Sequence, residues 1–132
     1  HYFFMKFPYR FYDGRFLPIV SIRLQGKDGW IISKAFVDTG ASYCLFPPDI
    51  AEVLGIELEK GEMSEMTVGD GNTLKVYLHQ IKVSIVEKEF VATIGFSKGL
   101  GVGFYIIGTR DIFDNFKICF NQKEKYVEFS DI

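Results

Sequence analysis

The sequence predicts an all-β domain closed on itself, with two short helices. Three observations predict it. Short apolar or alternating stretches recur between turn signals at regular spacing, the pattern of a closed, mostly β fold. These stretches are rich in valine, isoleucine and aromatic residues, which suit a half-buried pleated surface. Helix signals occur at only two places, and both are short.

Residues 6–15 place Phe7, Tyr9, Phe11 and Tyr12 around Pro8 and Asp13-Gly14. This stretch reads as an edge strand or as an arm packed on a partner. Phe16 to Leu24 follows as a strand with Val20, Ile22 and Leu24 on one face. Gly26-Lys27-Asp28-Gly29 is a hairpin turn, and Trp30 to Val37 returns as a buried strand. Pro47-Pro48-Asp49 opens a helix of about two turns, because proline suits the first helical position and an acid complements the helix N-terminus. Gly55 ends it. Glu57 to Glu65 reads as an exposed connection.

Met66 to Ile85 reads as a hairpin whose tip is Gly69-Asp70-Gly71-Asn72, residues that tolerate positive φ. In its second arm Leu74, Val76 and Leu78 share a face, and beyond Gln80 the phase flips to Ile81, Val83 and Ile85. A slip of one in a period of two predicts a bulge or bend and a strand serving two layers. Glu87-Lys88-Glu89 is a turn before a strand over Phe90 to Phe96. Ser97 to Gly103 is a glycine-rich loop, and it lacks the Lys-Ser/Thr and the helix that a phosphate cradle needs. Phe104 to Ile107 is a further buried strand. Thr109 caps a second helix over Arg110 to Asn115. Lys117 to Asn121 and Tyr126 to Ser130 form a terminal hairpin.

The chain of 132 residues suits one domain, read as an N-terminal arm over 1–15 and a single domain over 16–132. Met5 reads as the native start, with residues 1–4 a remnant foreign to the protein. A hydrophobic content of 48% excludes disorder. A net charge of -2 with both signs mixed leaves no nucleic-acid footprint, so no nucleic-acid partner is expected. No apolar run is long enough to span a membrane and no signal peptide is visible. Cys44 and Cys119 fit no zinc spacing and make no disulfide framework, which predicts two buried free thiols and a cytoplasmic setting. His1 and His79 are too isolated for a metal site, and His79 reads as a surface residue. No cofactor is expected.

The chemistry concentrates where the strand Trp30 to Val37 stops at a carboxylate. Asp38 is followed by a hydroxyl and by a glycine that lets the backbone turn sharply. The run Val37-Asp38-Thr39-Gly40-Ala41-Ser42 resembles the active-site loop of the aspartic peptidases. Tyr105-Ile106-Ile107-Gly108, followed by Arg110-Asp111, is similar to the second signature of the retroviral-type members. The resemblance spans roughly residues 17 to 121. It implies an all-β, closed retropepsin-like (acid protease) β-barrel with one lobe per chain, in which strand, glycine loop and helix occur twice.

The resemblance also implies an aspartic endopeptidase. Such chemistry needs two carboxylates about a hydrogen bond apart that share one proton. Of eight aspartates only Asp38 lies in Asp-Thr-Gly. The second carboxylate is then Asp38 of another copy across a two-fold axis, and the partners are a second identical chain and a peptide or protein substrate. The implied catalytic residues are Asp38, Thr39 and Gly40. Ala41, Ser42, Val68, Gly69, Asp70, Gly71, Asn72, Gly101, Val102 and Ile107 would contact substrate. The hairpin tip 69–72 would act as a flap and the 97–103 loop would border the side-chain pockets. Alanine at 41, where many relatives carry a hydroxyl, predicts activity at weakly acidic to near-neutral pH.

Two features depart from that pattern. Ser42 stands where an aspartate commonly pairs with the arginine after the second glycine, and Thr109 is an extra residue before that arginine. Arg110 is left to pair with Asp111, Asp114 or a partner chain. The chain ends also differ from the short terminal strands by which retroviral enzymes dimerise. The rival reading is a retropepsin-fold module that binds peptides or dimerises without turnover. Phosphoryl transfer on Asp38 is disfavoured, because Gly40 occupies the position where a second carboxylate is needed.

Overall fold

A computed structural model describes residues 4–67, 71–99 and 105–132. Its strands are β1 (Phe4–Pro8), β2 (Arg10–Tyr12), β3 (Arg15–Leu17), β4 (Ile19–Gly26), β5 (Gly29–Val37), β6 (Cys44–Phe46), β7 (Glu62–Thr67), β8 (Thr73–Ile85), β9 (Lys88–Phe96), β10 (Ile106–Ile107), β11 (Lys117–Asn121) and β12 (Tyr126–Ser130). One α-helix, α1 (Pro48–Leu54), and a 3-10 turn over Leu58–Lys60 complete the described elements.

Seven strands form one sheet in the order β4-β5-β10-β6-β9-β8-β7, and β4 also pairs with β8. That extra pairing covers Arg23↔Ser84 and Leu24↔Val83. A second sheet of three strands has the order β1-β12-β11, and β2 and β3 stand apart as a two-stranded hairpin.

Local signals account for several elements as expected. The β4–β5 ladder runs from Ile19↔Phe36 to Gly26↔Gly29 around the 27–28 turn. Val20, Ile22 and Leu24 point into the core. Helix α1 starts at Pro48 and ends where Gly55 adopts φ 75, its amide donating to Ala51 and Glu52 carbonyls. Gly26 lets this helix sit close, since a β-carbon there would stand 2.8 Å from the Leu54 carbonyl oxygen. The β11–β12 hairpin occupies the expected residues.

β8 explains its own change of phase. Its ladder with β9 is unbroken from Tyr77↔Phe96 to Ile85↔Lys88, so the expected bulge is not there. Each face of the strand is buried over only half its length. Ile81, Val83 and Ile85 join the main core, whereas Val76, with Leu74 and Leu78, joins a smaller cluster built on Leu45 and Ile106. The strand therefore does serve two apolar layers.

Other expectations are corrected. β7 begins at Glu62, inside the stretch read as a connection. The turn before β9 is Val86-Glu87, both at positive φ, rather than 87–89. No second helix forms over 110–115; the segment is a series of turns. Asp111 sits at φ 67, outside right-handed helical space, and interrupts the helix that Thr109 was expected to cap. β5 is buried only toward its end, and Ile32 is 62% exposed. Cys44 is buried but Cys119 is exposed, and both thiols are free. His79 is half-buried, donating from Nε2 to the Leu58 carbonyl at 2.8 Å with its ring edge-on to Phe96.

Candidate active site

Asp38 is the first residue beyond β5, and backbone bonds hold that end of the strand from both sides. Val37 N donates to Pro18 O at 2.9 Å, and Phe36 N to Tyr105 O at 2.9 Å. β10 runs parallel to β5 in the register Ile107↔Val37, and Asp38 N donates to Ile107 O at 2.9 Å. The loop then folds on itself. Gly40 N donates to Asp38 Oδ1 at 2.9 Å and Ala41 N to Asp38 O at 3.2 Å. Beyond β10, Thr109 N donates to Ala41 O and Arg110 N to Ser42 O, each at 2.9 Å. The loop carrying Asp38 is thus a hydrogen-bonded unit rather than a free turn.

Glycine at 108 makes this contact possible. A β-carbon there would lie 2.3 Å from Tyr43 O and 2.9 Å from Ala41 O. Cys44, just beyond Tyr43, is sealed beneath the loop, and burial pushes its thiol up to about 12.

Asp38 is half-buried, while Thr39 and Gly40 are exposed. None of the ion pairs among the described residues involves Asp38. Its carboxylate opens on a cleft of about 680 Å³, shared with Thr39, Pro18, Phe36, Phe120 and Lys125. A neighbouring cavity of about 330 Å³ shares Arg15, Leu17 and Phe36 with that cleft and reaches Lys34 and Tyr105. No cluster of His, Cys, Asp and Glu among the described residues could hold a metal ion. No described helix is long and apolar enough to cross a membrane.

The other expected site residues fall in several places. Ala41 is half-buried and packs on the small cluster with Tyr43 and Met66, while Ser42 is exposed. Ile107, expected to touch substrate, has no exposed surface and belongs to the main core. It is Ile106 that faces the cluster beside Ala41. The two alternate because they are neighbours on a strand, and a two-residue strand shows no periodicity from which to read the face. β7 and β8 stand paired as far as Thr67↔Thr73, so Gly71 and Asn72 lie at the end of that hairpin. Val68, Gly69, Asp70, Gly101 and Val102 lie outside the described residues.

Arg110 takes none of the partners expected for it within the chain. Its Nη1 donates to Tyr43 Oη at 3.0 Å, and the guanidinium lies 5.2 Å from the ring centre. Asp111 is used elsewhere: its Oδ2 accepts from Thr93 N at 2.7 Å. Tyr43 and Arg110 are 67 residues apart in sequence, and only the proximity of the two motifs would have suggested their contact. Phe36 and Lys125 were also missed as neighbours of Asp38, since no local pattern marks a cleft wall.

A strand running into Asp-Thr-Gly with its aspartate half-buried, tied by backbone amides to a second strand followed by glycine, is the arrangement of the aspartyl protease class. Residues 20–93 match the family described as aspartyl protease, and the chain belongs to that family. No curated protein sequence matches the chain. Among solved structures, it is similar to a retropepsin-like aspartic protease from Rickettsia conorii, with a TM-score of 0.70 and 20% identity over 98% of this chain and 92% of that one. It is also similar to the EIAV protease complexed with the inhibitor HBY-793, with a TM-score of 0.51 and 14% identity over 75% of this chain and 88% of that one. These likenesses are likenesses of fold.

Proposed function

We propose that this chain is one half of a homodimeric aspartic endopeptidase whose catalytic pair is Asp38 from each of two copies. The observation that carries the reading is the state of Asp38: clamped by its own amide to Ile107, half-buried, and unpaired with any described cation. A carboxylate so held supports pairing with a group that the single chain does not supply. Two such groups face to face cannot both carry charge. The ionised member takes a proton from water while the protonated member donates to the scissile carbonyl, with no covalent intermediate.

Thr39 would brace the opposite loop and Gly40 would admit the substrate backbone. The hairpin formed by β7 and β8, with residues 69–72 as the expected flap, would close on the peptide and exclude water. Ala41, Ser42 and the 97–103 loop would border the substrate, with Ile106 in place of Ile107. Residues 16–132 form the peptidase domain in this reading, and the β4–β8 pairing closes its barrel. Position 41 offers Asp38 no hydroxyl, which supports hydrolysis at weakly acidic to near-neutral pH. The free surface thiol of Cys119 supports a reducing, cytoplasmic setting.

Asp38→Asn tests the function. The expected outcome is a loss of peptide hydrolysis on the order of 10⁴-fold, with folding and dimerisation retained. No hydrolysis by either form would instead assign the chain to the peptide-binding module.

A further inference from the structure

The β2–β3 hairpin has no place in either larger sheet. It is well made locally: Asp13 and Gly14 supply the two positive φ values, 49 and 84, of a tight two-residue turn. An isolated two-stranded hairpin is nevertheless marginal in water unless its apolar side is covered. Phe11 and Phe16 pack edge-on to one another at 5.3 Å, yet they remain 65% and 53% exposed.

The base of the hairpin is anchored on both sides, and Tyr12 and Asp13 near its tip line the smaller cavity. Tyr9 is buried, with its amide donating to Lys125 O at 2.8 Å, and Pro18 accepts from Val37 N on the other side. Between those anchors Arg15, Phe16 and Leu17 line the cleft that contains Asp38 and Thr39, and Phe120 and Lys125 line it as well. A projecting aromatic pair and a receiving cleft therefore lie side by side, next to the one residue that has to approach its own symmetry mate.

An isologous two-fold interface requires such a self-complementary patch, with each knob filling the other chain's hole. The charges agree with that arrangement. Asp13 at the tip enters no ion pair among the described residues, and the cleft bears Arg15 and Lys125.

We propose that the β2–β3 hairpin is a dimerisation arm, its Phe11–Phe16 pair seated in the Asp38 cleft of a second copy of this chain. The inference rests on the paired-Asp38 reading and specifies which surface brings the pair together. The terminal strands cannot play that part by exchange while β1 is paired along its length with β12 of its own chain.

Sedimentation velocity of the full chain over a range of concentrations, beside Phe11→Ser/Phe16→Ser, tests the arm. The expected result is a dimer for the native chain and, for the double variant, a dimer weakened roughly 100-fold with an unchanged far-UV spectrum. A double variant that dimerises as tightly as the native chain overturns the arm and leaves the Asp38 pairing standing. A native chain that is monomeric at every concentration where it hydrolyses peptides overturns both. Should the double variant fail to fold, Phe11→Cys and Phe120→Cys chains, each with Cys119→Ser, are mixed under mild oxidation. A disulfide joining position 11 of one chain to position 120 of the other supports the arm, and its absence overturns it.

Discussion

Gly108 sits directly under Tyr43: a β-carbon on the glycine would stand 2.3 Å from the tyrosine's carbonyl oxygen. The crowding is against backbone, which cannot swing away as a side chain can. The same contact lets Thr109 and Arg110 reach the carbonyls of Ala41 and Ser42. Gly108→Ala is expected to cost about 3 kcal/mol of stability, the upper range for overpacking, measured by urea denaturation. Its loss of hydrolysis should exceed what the unfolded fraction explains, because the Asp38 loop has to move for the methyl to fit.

Arg110 and Tyr43 form a polar side-chain link between the segments around the two motifs. Both a hydrogen bond and a ring contact contribute, at an exposed position where such contacts are modest. Arg110→Ala should lower stability by about 1 kcal/mol. Tyr43→Phe keeps the ring and should cost less. A denaturation series ordering the two variants this way checks that the cation and ring carry part of the effect.

Cys44 makes stability fall at alkaline pH. Burial raises its thiol from an ordinary 9.0 to about 12, and the nearby Asp111 charge adds to the rise while a hydrogen bond from the Gly108 backbone opposes it. Below pH 9 the thiol is protonated in folded and unfolded chains alike. Between 9 and about 12 only the unfolded chain ionises it, so unfolding gains. Across that whole window the loss reaches about 4 kcal/mol at most. Cys44→Ala should show a shallower fall in urea midpoint between pH 9 and 11, and in the native chain only Cys119 should react quickly with a thiol reagent.

Glu87 adopts φ 66 in the turn between β8 and β9, and it is exposed. A left-handed conformation costs a residue with a β-carbon energy that glycine does not spend. Glu87→Gly should raise stability by about 0.5 to 1 kcal/mol, read as an increase in Tm. Substitution at the neighbouring Val86 mixes this effect with lost packing, since Val86 also rests against the core.

Much of this architecture was legible because it is local. The β4–β5 turn, the Pro48–Gly55 helix and the β11–β12 hairpin each carry their own start and stop signals. The Asp38 loop was legible as chemistry, because an acid, a hydroxyl and a glycine after an apolar strand form a recognisable unit. What stayed hidden depends on distant parts of the chain. β7 is largely exposed, with glutamates at 62 and 65, and it is a strand only because β8 pairs with it. The segment after Gly108 had helix-compatible residues, but Asp111 is held at positive φ while its carboxylate serves Thr93. Ile106 and Ile107 look alike in sequence and face opposite clusters.

The register Phe4↔Ser130 through Pro8↔Tyr126 joins the first described strand to the last inside a single chain. Each subunit can consequently complete its hydrophobic interior alone, and any encounter with a second copy is a docking of two finished bodies. Folding is then first order and assembly second order, two separate events. Dilution should abolish turnover while each separated chain stays folded and still melts cooperatively, with Tm lowered only by the lost association.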